Sequence, residues 1–352
     1  MIHTKIWTVN ASNSQDDEIK EAALLLQQGA VVAFPTETVY GLGADARNSA
    51  AVARIFAAKG RPSDNPLIVH IASQMQLDEL VLPYSELVQK LMDKFWPGPL
   101  TIVLPIKPNK LSPLVTAQLP TVGIRIPDHP VALALLAKAN CPVAAPSANR
   151  SGKPSPTAAD HVITDLADRI DGVVDGGATG VGLESTVIEV AADDTITILR
   201  PGGVTEEELQ AAAEGATIIS ALTVTDEAAA PRSPGMKYTH YAPNGQLQLV
   251  QGDRAKVLAY MQAEVFAARE RGEKAALLVF DENIDQVDAD CVASLGSQEL
   301  LQEGAQRLYA ALRYFDQEGV QRIWSECCSR TGIGEALMNR LLKAAGNDIH
   351  HV

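Results

Sequence analysis

The chain has 352 residues, of which 46% are hydrophobic and 20% are charged. This length exceeds what a single hydrophobic core usually organises, so two domains are expected. The formal net charge of −14 disfavours a broad basic face for nucleic acid, and any RNA contact should be weak. No stretch approaches the roughly 18 uninterrupted apolar residues of a membrane span, and the N-terminus lacks an apolar signal core, which predicts a cytoplasmic protein.

Helical periodicity and short apolar runs alternate along the first two-thirds of the chain. Helices are predicted at residues 16–28, 50–58, 85–95, 131–139 and 158–168. Apolar runs bounded by Gly or Pro predict strands at residues 31–34, 67–71, 100–104, 122–126 and 143–145, followed by strand-like segments at 185–190 and 195–199. The mixture predicts an α/β domain over residues 1–215.

A connector and a second α/β pattern follow. Residues 216–244 lack long periodic elements, yet the run RSPGMKYTHYAP crowds Arg232, Lys237, Tyr238, His240 and Tyr241 between Pro and Gly turns. A bland linker would be Gly/Ser-rich or charged, so we predict an active-site lid. Over residues 245–352, strands at 247–250, 275–280, 291–295 and 320–324 alternate with helices at 253–271, 297–318 and 334–345. This alternation predicts a smaller, Rossmann-like open α/β domain.

Cysteines and histidines give no metal-binding pattern. Cys141, Cys291, Cys327 and Cys328 lack CxxC spacing and are predicted to be buried small apolar residues. The seven histidines form no HExxH pair. No protein-built metal site is therefore predicted.

The run PTETVYGLG, residues 35–43, directly follows a predicted strand. Hydroxyls, a carboxylate and a phenol thus meet where α/β proteins usually bind ligands. Alternatively, Thr36 and Thr38 satisfy backbone amides of a turn.

The run KGRPSDNPL, residues 59–67, ends a predicted helix and precedes a strand that ends in His70. Lys59 and Arg61, fixed on a Gly/Pro-shaped loop, can neutralise a polyphosphate. No Walker motif is present, so side chains rather than a phosphate-binding backbone loop would do this work. His70 taken alone favours the alternative interpretation, a hydrogen-bonded core histidine.

Further polar groups interrupt or follow the later strands. Arg125 lies inside the apolar run TVGIRIP and needs an anionic partner, either a protein carboxylate or a ligand. The run PSANRSGKPSPT, residues 146–157, offers small hydroxyls suited to phosphate. Ser185 begins a predicted strand and Arg200 ends one. No GxSxG motif accompanies these serines, so a serine hydrolase is poorly supported.

Taken in order, PTETVYGLG, KGRPSDNPL, His70, TVGIRIP, PSANRSGKPSPT, ESTVI and LRPGG resemble the YrdC-like family of threonylcarbamoyl-AMP synthases. The linker and C-terminal domain resemble its two-domain branch. The resemblance implies a YrdC-like twisted mixed sheet with flanking helices. It also implies a reaction of L-threonine, bicarbonate and Mg²⁺-bound ATP that gives threonylcarbamoyl-AMP and pyrophosphate. A separate transferase would move the threonylcarbamoyl group to tRNA.

The same resemblance implies roles for individual residues. L-threonine would be surrounded by Thr36, His70, Arg125, Ala145 and Ser185. ATP would be held by Lys59, Arg61, Asn65, Thr121, Ser147, Ser155, Arg200 and Tyr241. We expect Lys59, Arg61 and Arg200, with ATP-borne Mg²⁺, to stabilise charge at the phosphates during catalysis.

Two alternatives belong to other classes. An RNA-binding, translation-associated module would bind RNA in a salt-sensitive way without ATP turnover, which the acidic composition disfavours. A carbamoyl-adenylate enzyme of the hydrogenase-maturation kind would bring cysteine-paired zinc motifs, which this sequence lacks.

Overall fold

The computed structural model describes residues 2–9, 17–221 and 241–352. The chain divides into two compact units: Met1–Ser151, Pro156–Gly180 and Glu184–Lys237 form the first, and Gly152–Ser155, Val181–Leu183 and Tyr238–Val352 form the second. The division is not contiguous, because two short loops from the N-terminal part of the sequence group with the C-terminal part. Among the described residues, no helix is long and apolar enough to cross a membrane.

The first unit is built on one large sheet. Its strands are β1 (Lys5–Thr8), β2 (Val32–Phe34), β3 (Gly41–Asp45), β4 (Val69–His70), β5 (Leu100–Pro105), β6 (Thr121–Arg125), β7 (Val143–Ala144), β8 (Gly172–Asp175), β9 (Thr186–Val190), β10 (Ile196–Arg200) and β11 (Ile218–Ser220). Its helices are α1 (Asp17–Gln27), α2 (Ser49–Lys59), α3 (Gln74–Leu80), α4 (Glu86–Phe95), α5 (Pro113–Thr116), α6 (Pro130–Ala139), α7 (Ala159–Leu166) and α8 (Glu206–Ala212).

The sheet is mixed, with the strand order β1-β8-β2-β3-β7-β4-β6-β5-β9-β10-β11. Strands β4 and β6 run parallel, whereas β6 is antiparallel to β5 and β3 is antiparallel to β7. Buried apolar residues of strands and flanking helices form the core around this sheet. The predicted twisted mixed sheet with flanking helices is thereby confirmed.

The local sequence explains why helix α2 begins near Asn48 and ends at Lys59. The Asn48 side chain caps the helix by accepting hydrogen bonds from the backbone N–H groups of Ala50 and Ala51. The helix ends at Lys59 and is capped by Gly60, whose φ of +64° favours a residue without a Cβ atom. The chain therefore turns directly after Lys59 into the loop that carries Arg61.

The second unit contains a five-stranded sheet that is parallel throughout, in the order β14-β13-β15-β12-β16. Its strands are β12 (Gln246–Gln251), β13 (Ala275–Val279), β14 (Cys291–Ser294), β15 (Arg322–Glu326) and β16 (Ile349–His351), and its α-helices are α9 (Arg254–Glu270), α10 (Leu301–Gln317) and α11 (Ile333–Ala344). The predicted open α/β domain is confirmed. A cavity of about 440 Å³ lies beyond the ends of β12 and β15, lined in part by Gly252, Arg254 and Glu326.

Candidate active site

Three residues from separate parts of the first unit meet at the ends of β4 and β6. His70 and Arg125 are partners in register, so they project from the same region of the sheet. Arg125 Nη2 lies 3.1 Å from Glu37 Oε2; the Arg125 side chain is buried, and the Glu37 side chain is 11% exposed. The sequence left the anionic partner of Arg125 open between protein and ligand, and Glu37 is a protein partner.

Several buried polar atoms at this place lack a partner. Among the described residues, Glu37 Oε1, Arg125 Nε and His70 Nδ1 accept or donate no hydrogen bond of ordinary geometry. On the loop that carries Arg61, both side-chain amide atoms of Asn65 also lack a partner within the described part of the chain, and this side chain is fully buried. An unsatisfied buried polar group costs about 1–3 kcal/mol, so a polar ligand that supplied the missing partners would gain affinity.

Burial also changes the ionisation of this cluster. The pKa of His70 is held well below its ordinary value of 6.5 by burial and by the positive charge of Arg125, so its imidazole is neutral at pH 7. Burial raises the pKa of Glu37 above 4.5, although Arg125 opposes the shift. The site thus offers a neutral imidazole beside a buried ion pair.

Thr36 serves the turn that follows β2. Its Oγ1 lies 2.8 Å from Thr38 Oγ1 and donates to Val39 O at 2.7 Å. The backbone N–H groups of Thr38 and Val39 donate to Thr36 Oγ1 at 3.2 and 3.3 Å. The structure therefore shows the turn role that was the alternative interpretation, and the role of Thr36 in binding threonine stays a prediction.

Ser185 and Arg200 are brought together. Arg200 Nη2 donates to Ser185 O at 2.9 Å and to Ser185 Oγ at 3.2 Å. Ser185 Oγ also lies 2.8 Å from Thr101 Oγ1. Thr101 was missed from the sequence, and its only signal was a hydroxyl inside an apolar strand. Ala145 directly follows β7 and is buried. It packs close to Gly41, because a Cβ atom added to Gly41 would lie 3.3 Å from the Cβ atom of Ala145.

Lys59 fastens the loop that follows β7. Its ammonium donates to Ser147 O at 2.5 Å, to Asn149 O at 2.7 Å and to Asn149 Oδ1 at 3.2 Å. Ser147 Oγ donates to the same Asn149 Oδ1 at 2.6 Å. Asn149 therefore links Lys59 to Ser147, because its side-chain oxygen accepts a hydrogen bond from each. The sequence analysis did not name Asn149 as a site residue, although its position inside PSANRSG could have indicated it.

Arg61 and Asn65 lie on one loop, where Arg61 Nη2 donates to Asn65 O at 3.4 Å. Thr121 stands at the other end of β6 from Arg125, paired in register with Pro105. At about 3.3 Å per residue, this separates the two Cα atoms by roughly 13 Å. Thr121 is thus away from the Glu37–Arg125 pair, and its role in binding ATP stays a prediction.

Ser155 and Tyr241 belong to the second unit. Its segment Gly152–Ser155 is held by Arg313, whose Nη2 donates to Pro154 O at 2.6 Å. The N–H of the residue after Tyr241 donates to Gly152 O at 2.9 Å. The Tyr241 ring has its centroid 5.4 Å from that of Tyr309. The other lid candidates, Arg232, Lys237, Tyr238 and His240, lie outside the described residues.

The cysteines do not all fit the prediction of buried apolar residues. Cys141 and Cys291 are buried, but Cys327 and Cys328 are only partly so, because they lie beyond the end of β15 on the cavity of the second unit. Burial raises the pKa of Cys327 to about 11 and that of Cys328 to about 12, which keeps both thiols protonated at pH 7. Within the described residues, no group of His, Cys, Asp and Glu side chains is arranged to hold a metal ion.

Comparisons with known proteins cover both units. The Sua5/YciO/YrdC family model, described as telomere recombination, matches residues 24–202, and the model described as threonylcarbamoyl-AMP synthase, C-terminal domain, matches residues 204–346. A threonylcarbamoyl-AMP synthase of Bacillus subtilis (strain 168) is 50% identical over 349 residues, covering 98% of this chain and 99% of the relative. One of Pyrococcus abyssi is 44% identical, covering 94% of each. The crystal structure of P. abyssi Sua5 complexed with L-threonine matches with a TM-score of 0.89 at 42% identity, covering 100% of this chain and 99% of that one.

Proposed function

Because the chain belongs to the two-domain branch of the Sua5/YrdC family and is a threonylcarbamoyl-AMP synthase, we propose the full reaction that it performs. L-threonine and bicarbonate give a carbamate, whose oxygen attacks the α-phosphate of Mg²⁺-bound ATP and releases pyrophosphate, with water as the other product. The step is a nucleotidyl transfer. A separate transferase then uses threonylcarbamoyl-AMP in the cytoplasm to form N6-threonylcarbamoyladenosine next to the anticodon of tRNA.

One observation carries the proposal. The Glu37–Arg125 pair leaves the donor Arg125 Nε and the acceptor Glu37 Oε1 without partners inside a buried site. An amino-acid zwitterion supplies a carboxylate for the first and an ammonium for the second. We therefore place the threonine carboxylate on Arg125, with the neutral His70, Thr36, Ala145 and Ser185 around the rest of the molecule.

In the first unit, the nucleotide is proposed to lie along Lys59, Arg61, Asn65, Thr121, Ser147 and Arg200, whereas the ATP-binding roles of Ser155 and Tyr241 in the second unit stay predictions from the family resemblance. Threonine carboxylate, bicarbonate and triphosphate are all anions, and cations held in fixed positions counter their repulsion. Arg200 is fixed by Ser185. Lys59 adds a buried positive charge and, through Ser147 and Asn149, sets the shape of the phosphate-facing loop. Positioning supplies much of the remaining rate.

The test is pyrophosphate release from ATP by the purified protein, with and without L-threonine and bicarbonate, and with serine as the competing amino acid. We expect release that requires threonine and bicarbonate together, accompanied by a product with the mass of threonylcarbamoyl-AMP. If ATP stays intact under every condition, the proposed activity is wrong and RNA binding becomes the function to test.

A further inference from the structure

The Glu37–Arg125 pair has a carboxylate oxygen left over, and this oxygen is the starting point. Arg125 contacts Glu37 through Nη2 only, at 3.1 Å from Oε2. Glu37 Oε1 is buried and, among the described residues, meets no donor at ordinary hydrogen-bond geometry. Backbone N–H groups of Glu37 and Asp128 approach the carboxylate closely enough to lower its pKa, but the effect of burial exceeds theirs. Glu37 Oε1 is therefore a buried acceptor that can take a hydrogen bond from a ligand.

The substrate chemistry matches this acceptor. In the proposed function, on which this inference rests, Arg125 binds the α-carboxylate of threonine. The ammonium is attached to the carbon next to that carboxylate. When the carboxylate is bound to Arg125, the ammonium is therefore within reach of a side chain that also contacts Arg125. Glu37 is such a group, and it has the opposite charge. Charge-assisted hydrogen bonds of this kind are about twice as strong as neutral ones.

The reaction also needs the ammonium to lose a proton, because a protonated amine has no lone pair with which to attack carbon. We propose that Glu37 binds the ammonium group of threonine through Oε1, accepts one of its protons, and so releases the amine that attacks bicarbonate. The amine nitrogen forms a bond to the bicarbonate carbon, and a C–O bond breaks. The products are the carbamate, one water and protonated Glu37, which then gives its proton to solvent.

The surroundings suit a proton acceptor. The charged groups facing Glu37 are Arg125 on β6 and Asp128 in the loop after it, and their effects on its pKa oppose each other. His70, beside Arg125 in register, is held neutral and adds no charge. Burial raises the pKa of Glu37, which makes its carboxylate a stronger base than an exposed glutamate.

A purely structural role, in which Glu37 only holds Arg125 in place, predicts different behaviour. The substitution Glu37→Gln keeps an oxygen that accepts from Arg125 but cannot take up a proton. If Glu37 is the proton acceptor, kcat for pyrophosphate release should fall by about 10²–10⁴-fold at pH 7, the usual contribution of acid–base catalysis. The deficit should shrink as pH rises, because solvent then deprotonates the amine. A structural role would reduce kcat by the same factor at every pH.

Three further variants sharpen the experiment on the full-length protein. Glu37→Asp, which keeps a carboxylate, should recover part of the lost kcat. Asp128→Asn removes a negative charge that raises the pKa of Glu37, so the acid limb of the pH–kcat profile should move to lower pH. Glu214→Gln, at an exposed position, is the matched control and should leave the profile unchanged.

The outcomes separate this inference from the proposed function. A wild-type protein that releases no pyrophosphate with threonine and bicarbonate contradicts the proposed function itself. An active wild type combined with a Glu37→Gln variant whose kcat is unchanged, or reduced equally at all pH values, overturns only the role of Glu37. Calorimetric titration with threonine should still show binding by Glu37→Gln, with a weaker affinity.

Discussion

At the scale of single residues, Arg125 and its neighbours determine the character of the site. A cation buried on β6 requires an anion, and the chain provides Glu37 from a loop 88 residues away in sequence. The planar guanidinium has donors left for a second anion after it has bound Glu37. The pair is therefore a structural contact, and we propose that it also binds the carboxylate of threonine.

Replacing the planar guanidinium of Arg125 by the ammonium of lysine should separate its contact with Glu37 from its binding of threonine. In Arg125→Lys, one ammonium has to serve both Glu37 and the threonine carboxylate, so we expect KM for threonine to rise at least about tenfold, equivalent to 1.4 kcal/mol. Steady-state kinetics with threonine as the varied substrate gives the measurement. Arg47→Lys, at a half-exposed salt bridge with Asp45, is the control and should leave KM unaltered. An unchanged KM in Arg125→Lys would contradict the placement of threonine.

His70 makes the stability of the fold sensitive to acid. Its folded pKa lies well below 6.5, so below pH 6.5 the unfolded chain binds a proton that the folded chain does not. Stability therefore falls as pH falls below 6.5, by at most about 1.4 kcal/mol per pH unit from this residue. Urea unfolding between pH 7 and pH 5 should show a shallower loss for His70→Asn than for the wild type. Equal slopes would mean that His70 is not a buried neutral imidazole.

At the scale of elements, a helix and a loop are joined by one ammonium group. Helix α2 ends in Lys59. Its buried Nζ donates hydrogen bonds to the backbone carbonyls of Ser147 and Asn149 in the loop after β7. The backbone N–H of Ser151 returns a hydrogen bond to Lys59 O at 2.9 Å. The loop thus has a defined shape although it contains no regular secondary structure.

Removal of that ammonium should loosen the loop. In Lys59→Met, two backbone carbonyls and the Asn149 side chain lose a donor, so we expect a loss of about 1–3 kcal/mol in the free energy of unfolding. KM for ATP should rise as well, while threonine binding measured by calorimetry should persist. Lys94→Met, an exposed position on α4, should change neither quantity. Unchanged turnover in Lys59→Met would rule out its contribution to catalysis.

At the scale of the whole molecule, the residues that the sequence predicts to bind ATP fall in different units of the chain. Lys59, Arg61 and Arg200 belong to the first unit, whereas Ser155 and Tyr241 belong to the second. Within the second unit, the segment 152–155 is held by Arg313 and by the residue after Tyr241. The C-terminal part of the chain therefore fixes a loop that the sequence assigned to the N-terminal domain.

We keep residues 216–244 as the proposed linker between domains 1–215 and 245–352 and as a proposed lid over the active site, and truncation tests the lid. A chain ended after Gly215 loses the lid, Tyr241 and the contacts that hold the segment 152–155. We expect KM for ATP to increase by about tenfold or more, because these groups no longer order the nucleotide. Pyrophosphate release is the assay, and circular dichroism verifies that the truncated protein is folded. Full activity of a folded truncated chain would contradict the lid.

The sequence by itself determined the elements with a strong local signal. Long amphipathic helices such as α1 and α4 and apolar strands such as β5 and β6 were predicted within about two residues, because periodicity and burial are local properties. Strand β3, with the sequence GLGAD, was missed because its glycines carry no apolar signal and its burial depends on neighbouring strands. Strand β16, with the sequence IHH, was missed because three residues are too few to show an alternating apolar pattern.

Tertiary structure decided the contacts between residues far apart in sequence. Spacing could mark Arg125 as a buried cation that needs an anionic partner and Lys59 as a cation fixed on a loop, but it could not say what they contact. The strand order brings Glu37 to Arg125 and Asn149 to Lys59, and these pairings follow from sheet topology rather than from any local pattern. A buried charge requires a partner, and only the fold specifies which residue that partner is.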